Sequence, residues 1–570
     1  MSIKKHLFKA LSPLLAVTLL AGCGSGESSS IVSPPPASSG NGSVNPAPLE
    51  APDIWAAYPE TVTVKLAVPG KIDEWPGDDN VSYTDNIWTK SWLAEFNIKT
   101  EILWDADDST NAYETKLNLA IASNQLPDII LTANYSQFAK LQAADRLAPL
   151  DDVLNANNYQ FFIDNLYADD VSMEIGRVNG LQYGIPRDAQ DYKSREIFIR
   201  ADWMEELNLA DPQTMADVIA IGKAFVDSGK AKYALPLYNK IIDGFGDITA
   251  AANSLNAYPR LWFDRGGTLA YGSIQPEMKE VLALYADLYR NKYIDQAFAS
   301  VDSGALAEQI TSGQLGILPS DFWVVTWPLP SLWDASQVDW NIYSVMPYEA
   351  GNTNFKIQIP ENNGRMVCVN ADYKYPEVLM KLLNYAVAKI SDPERAETEK
   401  YHTLKVGEKN YGVFGMSPLY VIRDNPMTNY NSQTNVTNAI DKKDTTYLVS
   451  PHDKTQYENI MPYFDATAAG KVPTSAQWSA YKLFYGENST FGVYNAMINE
   501  NKYILSASNN YRSETMVRQW GTLVQLEDQY ITEIISGKKA LDGFDEFVNS
   551  WKDLGGTTIL KEMNDWYTSR

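Results

Sequence analysis

Hydrophobic and polar positions along the chain switch repeatedly between two periods. Thr61-Val62-Thr63-Val64-Lys65-Leu66-Ala67-Val68 alternates with period two, which predicts a strand closed by Pro69-Gly70. A polar loop rich in Asp and Asn follows, then a helix over 87–96, a strand over 98–104 and a helix over 112–123 ended by Asn124-Gln125. Residues 126–131 read as a short third strand, and 137–144 as the next helix. Arg195-Glu196-Ile197-Phe198-Ile199-Arg200 resumes the strand pattern. Met278, Val281, Leu282, Tyr285, Leu288 and Tyr289 recur at helical spacing after Pro276, and Met366-Val367-Cys368-Val369 reads as a buried strand. Near the end, Met516, Trp520, Leu523, Leu526, Tyr530 and Ile534 mark another amphipathic helix, with Gly537 as its stop. Gly555-Gly556 separates the last two helices. Strands alternating with helices through short loops predict an α/β protein built on parallel sheet covered on both faces.

The N-terminus has a different pattern. Lys4, Lys5 and Lys9 make the start positive and overlap a mostly apolar run from Leu7 to Leu20, which ends in Leu20-Ala21-Gly22-Cys23. A positive start, a short apolar stretch and small residues at the cut describe a secretory signal over 1–22, too short to span a bilayer. The terminal cysteine looks like that of a bacterial lipobox, in which the thiol receives diacylglycerol; the plainer alternative is an ordinary signal with a chance cysteine. Residues 23–59 form the lipidated end and a tether rich in Ser, Pro, Gly and Asn, including Pro34-Pro35-Pro36. Such a composition buries too little apolar surface to offset its ordering entropy. With Cys23 acylated, Cys368 is the one remaining thiol, which excludes an internal disulfide. In its apolar run it reads as a core residue before it reads as a nucleophile.

Charge and composition narrow the partners. Loss of residues 1–22 removes three lysines and no acids, moving the net charge from -24 to -27. An acidic surface repels phosphates, so nucleic acid is not an expected partner, and the membrane is met only through the lipid. Fifteen Trp and 34 Tyr supply many more flat rings than a ligand could use, so most must fill cores. The three histidines, His6, His402 and His452, lack metal-ligand spacing, and neither a nucleophile elbow nor a phosphate loop is visible. No cofactor or metal is expected, and the chain is read as a non-enzyme. A glycoside hydrolase is the rival reading, because two placed carboxylates suffice for it and 71 acids are available.

Ordered landmarks carry a resemblance. Tyr113-Glu114-Thr115-Lys116-Leu117, Leu126-Pro127-Asp128-Ile129-Ile130 and Arg146-Leu147-Ala148-Pro149-Leu150-Asp151-Asp152 are followed by Gly184-Ile185-Pro186, Ile199-Arg200-Ala201-Asp202-Trp203 and Tyr293-Ile294-Asp295. Together they resemble the family 1 extracellular solute-binding proteins, and the ending from Phe544 to Trp566 is similar to the large lipoprotein branch of that family. The resemblance implies the two-lobe, periplasmic-binding-protein-like α/β fold, with a hinge and a ligand cleft between the lobes. It implies an oligosaccharide ligand, delivery to ABC importer permeases, a monomer, and a place on the extracellular face of the cell membrane. Lobe 1 is expected over 60–188, lobe 2 over 189–345, a return to lobe 1 over 346–440, and a mainly helical remainder of lobe 2 over 441–570. The first crossing is expected within 186–199 and the return within 338–365. Some relatives carry a calcium loop where this chain reads Ala224-Phe225-Val226-Asp227-Ser228-Gly229-Lys230-Ala231-Lys232. One carboxylate and two lysines cannot supply the six to eight oxygens calcium takes, so none is expected there.

Sugar recognition needs flat apolar faces and a few planar polar groups, and cleft-facing loops should supply them. The candidates are Trp75, Trp88, Tyr135, Arg187, Asp188, Trp262, Trp323, Trp327, Asn363 and Arg365. For each tryptophan the competing role is core packing. For Arg187 and Arg365 it is a salt bridge between lobes. A solute-sensing or peptide-binding receptor of the same fold is a further alternative to transport.

Overall fold

The computed structural model describes residues 53–569, except 54, 71, 73–80, 107–111, 156–172, 174, 188–191, 243, 361–364, 393–394, 407–408, 420–426 and 509–510. The signal, Cys23 and most of the tether lie outside the described residues, as do Trp75, Asp188 and Asn363.

The described residues form three hydrophobic clusters, one in the first lobe and two in the second. The first gathers Val62 to Ile185 and Met366 to Leu419 around a five-stranded sheet. Its order is Ile98–Ala106, Val62–Pro69, Ile129–Leu131, Met366–Val369, Gly184–Pro186. The first three strands run parallel, with Val62 opposite Ile98 and Leu66 opposite Ile129. Met366–Val369 returns antiparallel to both of its neighbours. The helix Ile87–Phe96 connects the first two strands. It starts at Asn86, whose side chain accepts from the Trp88 and Thr89 amides, and ends at Asn97 in the left-handed conformation, φ 58°. Cys368 is fully buried in this core, and burial pushes its thiol far above the usual range, so it packs as a small hydrophobe.

The second lobe is built differently. Its sheet has three strands in the order Ile317–Ser320, Glu196–Arg200, Trp340–Ser344, and the central strand is antiparallel to both neighbours. The parallel sheet expected from the alternation therefore holds for part of the first lobe and fails here. The chain enters the second lobe from the crossing, and both later strands run back towards that entry. Around this sheet lies a largely helical body that includes Met278–Arg290, Thr428–Lys442, Pro451–Ala468, Ser475–Phe484 and Glu514–Ile535.

Core membership also corrects the expected boundaries. Val338, Trp340 and Val345 sit in the second lobe, inside the expected 189–345, while Phe355, Ile357 and Ile359 join its main core, as do Tyr430, Val436 and Ala439, all from the stretch expected to return to the first lobe. Of the expected return over 346–440, the described residues that join the first core lie between Met366 and Leu419. Val338 to Ser344 was expected inside the return crossing because its strand pattern gives no sign of which sheet it completes. Beyond that strand, Gln358 is pinned in the second lobe by Asn253, which accepts its amide and donates to its Oε1, both at 2.9 Å.

Candidate functional site

The end of each sheet that faces the crossings can be found from connectivity alone. In the second lobe, Glu196 opens its strand directly after the first crossing and pairs with Ser320 and Ser344, the last residues of the flanking strands. The segment leaving Ser320, Asp321 to Trp327, therefore emerges at the crossing end. In the first lobe, Arg187 follows one strand and Arg365 precedes another, and the Arg187 amide donates to the Arg365 carbonyl at 2.8 Å. Tyr135 follows the parallel strand Ile129–Leu131 at its C-terminal end, where open α/β sheets bind ligands.

An aromatic platform stands at this end of the second lobe. The rings of Trp323 and Trp327 stack with centroids 6.0 Å apart and planes 21° from parallel. Phe245 meets both edge-on, at 5.3 Å and 5.7 Å. Trp327 is 47% exposed, unusual for so large an apolar ring, and Trp323 is half-buried. Beneath them lies an ionic network. Arg195 grips Asp247 with two bonds, Nε to Oδ1 at 3.2 Å and Nη2 to Oδ2 at 2.7 Å, while Nη1 donates to Asp321 Oδ1. The other Asp321 oxygen accepts the Trp323 indole N–H at 3.3 Å. Asp247 also accepts the amides of Gly244 and Thr249, both at 3.0 Å, which fixes the loop that carries Phe245.

Glu196 is fully buried beside this network, near the Tyr494 hydroxyl, and the Ser320 hydroxyl across from it has no hydrogen-bond partner among the described residues. Burial first and the Asp321 charge second hold the Glu196 carboxyl well above the usual carboxylate range. Tyr494, fully buried and close to Glu196, donates to the Ser194 carbonyl at 2.7 Å and accepts the Phe322 amide at 3.2 Å.

Across the crossing, Tyr135 is half-buried with its ring 5.5 Å from that of Phe138. Burial raises its hydroxyl pKa, and Arg512 of the second lobe opposes that rise. The helix Tyr135–Ala143 touches the helix Glu514–Ile535, so the two lobes meet here. Tyr511, next to Arg512, lies flat on Trp566 at 4.4 Å.

Two expected tryptophans are not at the site. Trp88 is fully buried in the first core, donating to the Val413 carbonyl at 3.0 Å and packed edge-on against Tyr401. Trp262 is buried in the second core between Tyr271 at 5.1 Å and Trp520 at 6.1 Å. Both follow loop-like polar sequence, which suggested a surface ring, yet each packs inward on its element. Phe245, Arg195, Asp247, Tyr511 and Arg512 were missed. Phe245 did carry a signal, because Gly244-Phe245-Gly246 places a lone ring in a loop and Gly246 has a φ of 74°. A separate depression of about 510 Å³ on the second lobe, lined by Asn256, Glu280, Tyr348 and Glu349 among others, includes none of the expected residues. Among the described residues no cluster of three acidic, His or Cys side chains could hold a metal ion, and no helix is long and apolar enough to cross a membrane.

Comparisons with known proteins agree with this architecture. Lipoprotein LipO of Bacillus subtilis is 22% identical over 528 residues, covering 89% of this chain and 92% of LipO. Among solved structures, the alginate-binding protein AlgQ2 without calcium superposes with a TM-score of 0.58 at 15% identity, over 90% of this chain and 99% of that one. An HMO-binding, ABC-transporter-associated solute-binding protein of Bifidobacterium longum infantis gives 0.59 at 12% identity, over 89% and 98%. These likenesses establish a shared two-lobe α/β fold. The sequence model of the bacterial extracellular solute-binding proteins matches residues 78–390, more than half of the chain. The chain therefore belongs to the bacterial extracellular solute-binding protein family.

Proposed function

We propose that this chain captures an oligosaccharide between its lobes and delivers it to the permeases of an ABC importer. The stacked pair of exposed Trp327 and half-buried Trp323 carries the reading. The exposed Trp327 indole, backed by the Trp323 ring stacked on it, offers a flat apolar surface for a sugar ring, and the carboxylate and guanidinium groups around them can meet hydroxyls. The arginines at the two crossings, Arg187 and Arg365, and Tyr135 with Arg512 supply polar groups on the facing side. Closure of the lobes on the sugar would bury it from both sides and shift an existing open–closed equilibrium. Relatives whose names state sugar binding, the alginate-binding and HMO-binding proteins, lend the ligand class. Among the carboxylates at this end, Glu196 is buried away from solvent, which suits a binding cleft better than a glycosidase pair.

The membrane tether belongs to the same proposal. Leu20-Ala21-Gly22-Cys23 would place a lipid on Cys23 and hold the receptor at the extracellular face, as a monomer beside its permeases. Labelling cells with a clickable fatty acid should mark the native chain and leave a Cys23→Ala chain unmarked.

Thermal unfolding of residues 58–570 against neutral and anionic oligosaccharides, with each mixture assayed for product, tests the binding reading. A ligand at a hundredfold excess over its dissociation constant adds about 2.7 kcal/mol to stability. A raised midpoint with one sugar class and no product supports it. Turnover would point to a hydrolase, and silence across all sugars would point to a peptide or other solute. Unimpaired sugar uptake after deletion of the chain would separate a sensor from a transport receptor.

A further inference from the structure

The aromatic platform is made of two loops far apart in sequence, one carrying Phe245 and one carrying Trp323 and Trp327. Their backbones meet at one point, where the Gly246 amide donates to the Pro319 carbonyl at 2.8 Å, and the three rings pack as one cluster with Phe245 buried beneath the tryptophans. One side chain ties the polar groups of both loops together. Arg195 holds Asp247, which organises the Phe245 loop through the Gly244 and Thr249 amides. With its remaining terminal nitrogen it holds Asp321, whose second oxygen takes the Trp323 indole N–H. Arg195 and Asp247 are buried, so these bonds work in a low dielectric and are weakly screened. Arg195 also has a particular place in the chain, since it lies directly before Glu196, the first residue of the second sheet after the first crossing.

We propose that Arg195 is a positioning residue that sets the rings of the sugar platform through Asp321 and Asp247 and links their orientation to the crossing between the lobes. This rests on the reading of Trp323 and Trp327 as the sugar platform. The planar fork of the guanidinium is what the role requires, because it makes two parallel bonds to one carboxylate and a third to another. A lysine keeps the charge and loses the fork. A bend at the crossing moves Arg195, and with it both ring-bearing loops, so ligand seated on the rings favours one lobe arrangement.

A double-mutant cycle on affinity distinguishes positioning from plain stability, with trigalacturonate, an alginate trisaccharide and kestose as probes. Arg195→Lys should weaken binding of the responsive probe about tenfold, and by less than about twofold once Trp323 is already Phe, since groups acting through one another are non-additive. Equal loss in both backgrounds, or no loss in either, overturns the proposal. Should Arg195→Lys fail to fold, Asp321→Asn takes its place: it keeps a carbonyl acceptor for the indole and removes the ion pair, and the same non-additivity is expected. If no probe binds the unsubstituted chain, the sugar reading has failed, and the positioning role is still tested by acrylamide quenching of fluorescence. The Trp323 contribution, isolated by difference from Trp323→Phe, should become more quenchable in Arg195→Lys; unchanged quenching overturns the role.

Discussion

Two pairs of tryptophans in the second lobe have almost the same geometry and opposite surroundings. Trp262 and Trp520 stack at 6.1 Å and 30°, and Trp323 and Trp327 at 6.0 Å and 21°. The first pair is joined to Tyr271 and Trp551 in the main core, where the Trp262 indole nitrogen is buried without a partner. In the second pair the Trp323 nitrogen is bonded to Asp321 and the Trp327 ring is open to solvent. Stacked indoles therefore say nothing about function by themselves. The partner of the N–H and the route to solvent decide whether a ring stabilises the fold or is available to a ligand.

Substitution should separate the pairs sharply. Trp262→Ala removes a buried ring from a packed core and should cost about 3–5 kcal/mol in urea unfolding. Trp327→Ala should stay within about 1 kcal/mol, as exposed positions do, while weakening sugar binding. Equal destabilisation by both would erase the distinction. Trp88→Phe in the first lobe is intermediate, because it strands the buried Val413 carbonyl at a cost of about 1–3 kcal/mol, with sugar affinity unchanged. A loss of affinity there would return Trp88 to the site.

The platform's network adds a pH test. In the folded chain Glu196 keeps a proton that the unfolded chain releases above the ordinary value of 4.5. The folded state then binds more protons, so stability from this group is present at low pH and falls as pH rises towards the raised folded value. Glu196→Gln removes that titration. The variant should match the unsubstituted chain near pH 4 and gain on it by up to about 1.4 kcal/mol per pH unit above. A difference constant with pH would mean that folding leaves the Glu196 pKa unshifted and would contradict this reading.

The smallest effect concerns the first lobe's side of the cleft. Tyr135→Phe should alter stability by less than about 1 kcal/mol, as a half-buried hydroxyl does, and change sugar affinity through the facing Arg512. No change in affinity would assign Tyr135 to lobe contact alone.

Elements were legible in the sequence wherever one period ran without interruption. The expected helix at 87–96 is observed as Ile87–Phe96, that at 112–123 as Ala112–Ser123, and the spacing from Met516 to Ile534 lies within Glu514–Ile535. Periodicity reports which face is buried, not which lobe buries it. That is why 346–360 and 427–440 were assigned to the wrong lobe and why strand direction in the second sheet was missed. The platform was half legible: Asp321-Phe322-Trp323-Val324-Val325-Thr326-Trp327 drew attention as a dense aromatic segment. Arg195 and Asp247 did not, because a buried ion pair joining residues 52 positions apart leaves no local pattern.

The most direct test of the central claim is calorimetric titration of residues 58–570 and of its Trp327→Ala variant with the oligosaccharide that most raises the melting midpoint. The account predicts saturable binding to the unsubstituted chain, weakened at least about tenfold in the variant, a loss of about 1.4 kcal/mol, with the ligand-free midpoints nearly equal. Undiminished binding by Trp327→Ala would show that the sugar sits elsewhere and that the stacked pair is not its platform.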